Sequence, residues 1–158
     1  MFKFSLLFIL FTSGALAAEA TSDGKLCLEY AKEKENYKIA HKNEHCLKAA
    51  KEGYAPAQYA VGLGFNFDGK HVEEEKYYKL AAEQGGIAAY LGLGHLYRYK
   101  DEDKAIYWYS RYVQTKSSGY GYVAILIAKI YKEKGNTKLA DKWLNECLAS
   151  PYGDKCNL

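Results

Sequence analysis

The apolar positions of this chain recur with the period of helices that bury one face. Apolar residues stand at i, i+3, i+4 and i+7 in the segments APAQYAVGLGF (55–65) and IAAYLGLGHLY (87–97). This spacing predicts amphipathic α-helices, each with one buried stripe. The two segments align at an offset of 32 residues, which places Gly62 on Gly94. The chain therefore contains a repeated unit.

A second apolar pattern follows each of these segments, so the unit is predicted to be a hairpin of a first and a second helix. The second helices carry adjacent large apolar residues at equivalent positions, namely Tyr77-Tyr78, Trp108-Tyr109 and Trp143-Leu144. The predicted fold is an all-α domain of about four such hairpins, at about 24–52, 54–84, 86–115 and 118–149, with a C-terminal tail at 150–158.

Two local features refine the hairpin prediction. Gly62 and Gly94 occupy the interiors of first helices, where glycine costs about 1 kcal/mol relative to alanine. Their recurrence predicts two backbones that pack closely at this position. Acidic residues at 73–75 and 101–103 lie where second helices begin, and there they complement the helix dipole. These charge runs are therefore predicted to be helix caps rather than parts of an active site.

Several segments together resemble the Sel1-like repeat, whose pattern is roughly A-x-A-x-x-L-G-x-x-Y followed by K-A-x-x-W-Y-x-x-A-A-x-x-G. They are APAQYAVG (55–62), KYYKLAAEQG (76–85), LGHLY (93–97), KAIYWY (104–109) and KLADKWL (138–144). The resemblance covers about residues 24–150. It implies a right-handed α-solenoid of helix hairpins that binds another protein on a concave face lined by the first helices.

The N-terminus predicts export. Met1 to Lys3 is a short positive region, Phe4 to Phe11 is almost wholly apolar, and Ala15-Leu16-Ala17 fits a cleavage site. We expect residues 1–20 to be a secretory signal peptide and residues 21–158 to be one mature domain, periplasmic or secreted. The apolar run is shorter than the ~20 residues of a membrane span. No stable membrane insertion is therefore expected after cleavage.

Charge and cysteine content narrow the class of protein further. The formal net charge is +3, and no basic run reaches the length typical of nucleic-acid binding. The four cysteines Cys27, Cys46, Cys147 and Cys156 favour two disulfides in an exported chain. Four cysteines allow three connectivities, and pairing between sequence neighbours is the simplest. Such bridges would staple the two ends of the domain.

One short motif raises the alternative of a zinc hydrolase. His41, Glu44 and His45 fit the H-x-x-E-H pattern of inverted zinc metalloproteases. The repeat register, however, places His45 opposite Tyr77, at a position for a large packed ring. A zinc hydrolase would also need a third ligand from a separate helix, and the sequence identifies none. We therefore predict structural histidines, no catalytic residue, no metal and no cofactor.

The positions of the first helices that the buried stripe leaves free define a candidate binding strip. It consists of Leu63, Asn66, Phe67, His95, Arg98, Tyr99, Tyr122, Lys129 and Lys132. Tyrosine and arginine are enriched at protein interfaces, and the chain has 16 tyrosines. This mixed aromatic and basic strip is predicted to bind a protein with an acidic or hydrogen-bonding face.

The leading functional hypothesis is an exported protein-binding module. Small periplasmic Sel1-like proteins include immunity proteins that neutralise antibacterial toxins, notably phospholipases of type VI secretion systems. The resemblance thus implies an immunity protein that occludes a toxin or lipase effector. An envelope assembly or signalling scaffold, or a secreted factor that meets host proteins, is the alternative of the same class. The zinc hydrolase is the alternative of a different class.

Overall fold

A computed structural model describes residues 21–158, and in this range the chain is helical with no strand. The α-helices are α1 (Ser22–Lys32), α2 (Glu44–Lys51), α3 (Ala55–Phe67), α4 (His71–Glu83), α5 (Ile87–Tyr97), α6 (Glu102–Gln114), α7 (Tyr120–Glu133) and α8 (Thr137–Leu148). Two 3₁₀ segments, Asn36–Lys42 and Gly153–Lys155, complete the structure. The prediction of an all-α protein is confirmed. The predicted signal peptide lies outside the described residues.

Caps and turns set the helix ends. The side chains of Thr21, Asn43, Asp101 and Asn136 each accept a hydrogen bond from the backbone N–H three residues on, at the starts of α1, α2, α6 and α8. Such N-caps satisfy donors that have no partner within the helix. Gly135 follows α7 with a φ of 72°, a left-handed conformation that favours glycine.

The helices pack mainly against their neighbours along the chain. Each of α1 to α7 contacts the next α-helix, and α3 additionally contacts α1 and α5. Apolar residues form two clusters, one built by α1 to α3 around the buried pair Cys27 and Cys46, the other built by α4 to α8. The small side chains of Ala57, Ala81 and Ala89, all fully buried, let neighbouring helices approach closely.

The repeated glycines make room for tyrosine rings. A Cβ built on Gly62 would lie 2.7 Å from Cδ1 of Tyr78, and one built on Gly92 would lie 2.7 Å from Cε2 of the same ring. Gly94 faces the ring of Tyr109 in the same manner. The expectation that two backbones meet at Gly62 and Gly94 was therefore wrong, because the close neighbour in each case is an aromatic ring of the following helix.

The disulfides join sequence neighbours, as the simplest connectivity predicted. Cys27 of α1 bonds to Cys46 of α2, and Cys147 of α8 bonds to Cys156 in the tail. The second bridge holds the tail against the last hairpin, where Tyr152 packs edge-on against Tyr122. Disulfides of this kind are typical of proteins that mature in an oxidising compartment. No helix within residues 21–158 is long and apolar enough to cross a membrane.

The first hairpin departs from the regular pattern. Between α1 and α2 the chain forms the 3₁₀ segment Asn36–Lys42, which packs against α3. Glu35 precedes it with a φ of 57°, and Asn43 ends it in an extended conformation before α2 begins. His41 therefore belongs to the 3₁₀ segment and His45 to α2, so the two residues do not share one helix face.

Candidate interaction surface

The predicted strip lies on the exposed sides of α3, α5 and α7, which are the first helices of their hairpins. Leu63, Asn66 and Phe67 stand at i, i+3 and i+4 on α3. His95, Arg98 and Tyr99 have the same spacing, but α5 ends at Tyr97, so Arg98 and Tyr99 lie in the turn after it. Phe67 and Tyr122 are about half exposed, and Tyr99 is 92% exposed. Phe67 ends α3, Tyr99 follows α5 and Tyr122 lies in the first turn of α7, so the three exposed rings do not occupy equivalent helix positions.

At the α3 end of the strip, Phe67 is supported by the 3₁₀ segment. Its ring centre lies 5.4 Å from that of Tyr37 in an edge-to-face arrangement, and Nζ of Lys38 lies 5.4 Å from the Phe67 ring centre. Asn66, in contrast, is engaged internally, because its Nδ2 donates a hydrogen bond of 2.8 Å to Oε1 of Glu74. Phe67 is therefore a free contact here, whereas Asn66, although exposed, has its side-chain amide engaged within the protein.

Glu74 is a buried acid that the cap interpretation of residues 73–75 did not foresee. Its residue is only 1% exposed, and its carboxylate accepts hydrogen bonds of 2.8 Å from Asn66 and from Nδ1 of His71. His71 is the first residue of α4. This small polar network fixes the turn that follows Phe67.

In the middle of the strip, Arg98 holds a position rather than presenting a free charge. Its side chain is 14% exposed, and Nη2 donates to both carboxylate oxygens of Glu133 at 3.1 and 3.2 Å. The guanidinium carbon lies 5.3 Å from the ring centre of Tyr99. Arg98 thus links the end of α5 to α7 and supports the exposed Tyr99 ring.

The side chains of His95 and Tyr109 form a hydrogen bond. Tyr109 Oη and His95 Nδ1 lie 2.9 Å apart. Burial raises the pKa of the Tyr109 hydroxyl, and desolvation lowers the pKa of the His95 imidazole. Both shifts favour a neutral pair in which Tyr109 donates its O–H to Nδ1 of His95. The positive charge of Arg98 opposes this rise in the pKa of the Tyr109 hydroxyl only in part.

The α7 end of the strip supplies its positive charge. Lys129 and Lys132 are exposed, and neither has a carboxylate within 4.0 Å among residues 21–158. Tyr122 lies about two turns before Lys129 and about three turns before Lys132, and it packs against Tyr152 of the tail with ring centres 6.0 Å apart. The strip therefore combines aromatic contacts with lysines whose charge is free to meet an acidic partner.

Sequence reasoning missed an apolar groove beside the strip. It has a volume of about 390 Å³ and lies between α1, α3, α5 and the 3₁₀ segment. Its lining residues are Leu28, Ala31, Lys32, Tyr37, Ala55, Pro56, Tyr59, Ala60, Leu63, Gly86, Ile87, Ala88 and Ala89. Leu63 belongs to both the groove and the strip. The sequence feature that could have indicated the groove is the set of small residues on one face of α3 and α5, because small side chains leave space beneath their larger neighbours.

The histidines of the H-x-x-E-H pattern bind separate carboxylates. His41 Nε2 donates to Asp68 at 2.8 Å, and His45 Nδ1 donates to Asp23 at 2.7 Å. Glu44 is exposed on α2. Residues 21–158 contain no group of three or more metal-ligating side chains placed to hold an ion. The structure therefore does not bring the three residues of the zinc hypothesis together.

These two carboxylates are held in their charged form. Hydrogen bonds from Lys48 and then from His45 lower the pKa of Asp23. Desolvation is the largest single influence on Asp68 and raises its pKa, but the hydrogen bonds and charges of His41 and Lys42 together outweigh it, so the pKa of Asp68 is also lowered. His41 is buried, and its Nδ1 has no hydrogen-bond partner among the described residues. Nδ1 packs instead against Gly64 of α3, where a side chain would not fit. His41 thus anchors the 3₁₀ segment to α3.

Comparison of the chain with family models, with curated proteins and with solved structures finds no match in any of the three.

Proposed function

We propose that this chain is an exported protein-binding module, a right-handed α-solenoid of about four Sel1-like hairpins that binds a partner through the strip. The observation that carries the proposal is a set of three exposed rings: Phe67 at the end of α3, Tyr99 in the turn after α5 and Tyr122 in the first turn of α7. Each is backed by a second aromatic or cationic group, which limits the side-chain entropy lost on binding.

The partner is proposed to present an acidic face around apolar or aromatic contacts. Within the described part of the chain, Lys129 and Lys132 are unpaired and follow Tyr122 on α7 by about two and three turns, whereas Lys38, over the ring of Phe67, is already paired with Glu35. Unpaired cations at the edge of an interface accelerate association with an acidic partner and make it sensitive to salt. The three rings, each held against a neighbouring side chain, are proposed to supply most of the affinity.

More narrowly, the proposed role is that of a periplasmic immunity protein that covers the active-site entrance of a phospholipase-type toxin. The support for this step is the resemblance to Sel1-like repeats, the predicted signal peptide and the two disulfides.

The test is capture of the partner from the native periplasm with a tagged form of residues 21–158, followed by mass spectrometry and affinity measurement. One stoichiometric toxin or lipase is expected. Several envelope proteins, or host proteins captured by the secreted form, would instead favour a scaffold or a host-facing factor.

A pair of variants tests the surface itself. Tyr99→Ala removes the most exposed ring of the strip and is expected to weaken binding at least about tenfold, as a hot-spot residue does. Tyr107→Ala is the matched control, because Tyr107 is 51% exposed on α6, a second helix outside the strip. Its expected effect is below about twofold. Equal effects of the two variants would contradict binding through the strip.

A further inference from the structure

The groove between α1, α3 and α5 has a chemistry of its own. We propose that it binds a single-chain amphiphile with an anionic head group, namely a medium-chain fatty acid. This ligand site goes beyond the binding of a protein partner and does not depend on it. The proposal rests on the shape of the groove, on its nearly uniform apolar lining and on the positive groups at its edge.

Small residues form the floor of the groove and large ones its walls. Ala60 and Ala89 are buried beneath it, whereas Leu28, Tyr59 and Leu63 are half-buried at its sides. The volume of about 390 Å³ lies near the small end of the ~300–1,000 Å³ range of ligand pockets. This size favours one flexible chain of moderate length over a branched or multi-ring molecule.

The lining discriminates between an acyl chain and a peptide. Side-chain polar groups in the groove are limited to the Lys32 ammonium and the hydroxyls of Tyr37 and Tyr59. A peptide would bring an N–H and a C=O at every residue, and each costs free energy when it is buried without a partner. An acyl chain has no polar group along its length. The groove therefore fits an acyl chain better than an extended peptide.

The edge of the groove favours a carboxylate. Lys32 has no carboxylate within 4.0 Å among the described residues, so its charge is available. The first turns of α3 and α5 also line the groove, and neither helix has a side-chain N-cap, so each presents an uncapped positive dipole end. The C-terminal end of α1 carries a negative partial charge. The full positive charge of Lys32, in the last turn of α1, is larger than this partial charge.

Chain length provides the first test on the unmodified protein. Saturated fatty acids from hexanoate to dodecanoate compete with a fluorescent fatty acid for purified residues 21–158. Because each buried methylene contributes a constant increment of transfer free energy, affinity is expected to rise about fourfold per methylene and then to level off when the groove is full. The methyl ester of the best acid is expected to bind about three- to tenfold more weakly, since it has no charge.

Two variant pairs then locate the site. Ala88→Trp places a large ring at the exposed edge of the groove and should abolish binding, whereas Ala149→Trp, exposed at the end of α8, should leave it unchanged. Lys32→Gln should weaken acid binding about two- to fivefold with no effect on the ester, and Lys138→Gln on α8 should have no effect. Circular dichroism confirms that each variant is folded.

Several outcomes would overturn the proposal. The first is that no acid displaces the fluorescent fatty acid. The second is that affinity rises with chain length without levelling off, and the third is that Ala88→Trp and Ala149→Trp have equal effects. The last two would show nonspecific adsorption to apolar surface. Tyr99→Ala should not change fatty-acid binding, because Tyr99 lies outside the groove. Failure of the partner-binding proposal and failure of this one are therefore distinguishable.

Discussion

The substitution Gly62→Ala tests the packing of tyrosine rings against glycine, which organises the hairpins. The new Cβ would lie 2.7 Å from Cδ1 and 2.9 Å from Cε1 of Tyr78, well inside the ~3.5–4.0 Å of an ordinary carbon contact. The ring cannot move away, because it is 2% exposed and its other edge is equally close to Gly92 of α5. Tyr59 also stacks on it, with ring centres 5.4 Å apart.

The magnitude follows from two opposing terms. Alanine gains about 1 kcal/mol over glycine in a helix interior. Overpacking of a filled core costs about 1–3 kcal/mol. We take the upper end because the Tyr78 ring packs between α3 on one side and α5 on the other. The net expectation is a loss of about 2 kcal/mol in the free energy of unfolding. For a domain of this size that loss corresponds to a fall of about 6–10 °C in Tm.

Urea denaturation followed by far-ultraviolet circular dichroism measures this effect, and a second background controls for helix propensity. In Tyr78→Leu the ring is gone, so Gly62→Ala should there be neutral or stabilising by up to about 1 kcal/mol. If Gly62→Ala leaves the free energy of unfolding of the otherwise wild-type protein unchanged, or raises it, the reasoning is refuted. The same loss in both backgrounds would refute it as well.

Three further predictions concern the disulfides, the pH dependence and a helix cap. Replacing Cys27 and Cys46 by alanine should lower the free energy of unfolding by about 3 kcal/mol, as expected for a bridge that spans 19 residues, and chemical denaturation under non-reducing conditions measures it. Because burial lowers the pKa of His95, the unfolded state binds that proton more tightly, so stability should fall as pH drops below about 6.5 towards the folded pKa. His95→Asn should remove this part of the slope in urea titrations at about pH 7 and about pH 5, and an unchanged slope would contradict the assignment. Asp101→Ala removes the α6 N-cap and should cost about 1 kcal/mol, read as a shift in urea midpoint at constant m.

The fold was largely predictable because the helical period dominates this sequence. The apolar spacing predicted an all-α chain, and residues 21–158 are helical without a strand. Nothing in the periodicity indicated the 3₁₀ segment 36–42, since its path depends on contacts distant in sequence. The hydrogen bond from His41 to Asp68 and the packing of His41 against Gly64 hold it.

The strip was predicted only in part, for an equally physical reason. Helical spacing identifies which positions face outwards, and Phe67, Tyr99 and Tyr122 are indeed exposed. Spacing does not show which polar side chains find partners within the protein, and Arg98 and Asn66 do so. The groove escaped prediction because its lining comes from four separate segments, and its volume depends on how closely they approach.

The central claim, binding of a partner protein through the strip, is tested most directly by site-specific photo-crosslinking in the native periplasm. A photoreactive phenylalanine analogue replaces Tyr99 on the strip in one strain and Tyr107 on α6 in another. The account predicts one discrete protein adduct from position 99 and none from position 107. An adduct from position 107 alone, or the same adducts from both positions, would contradict it.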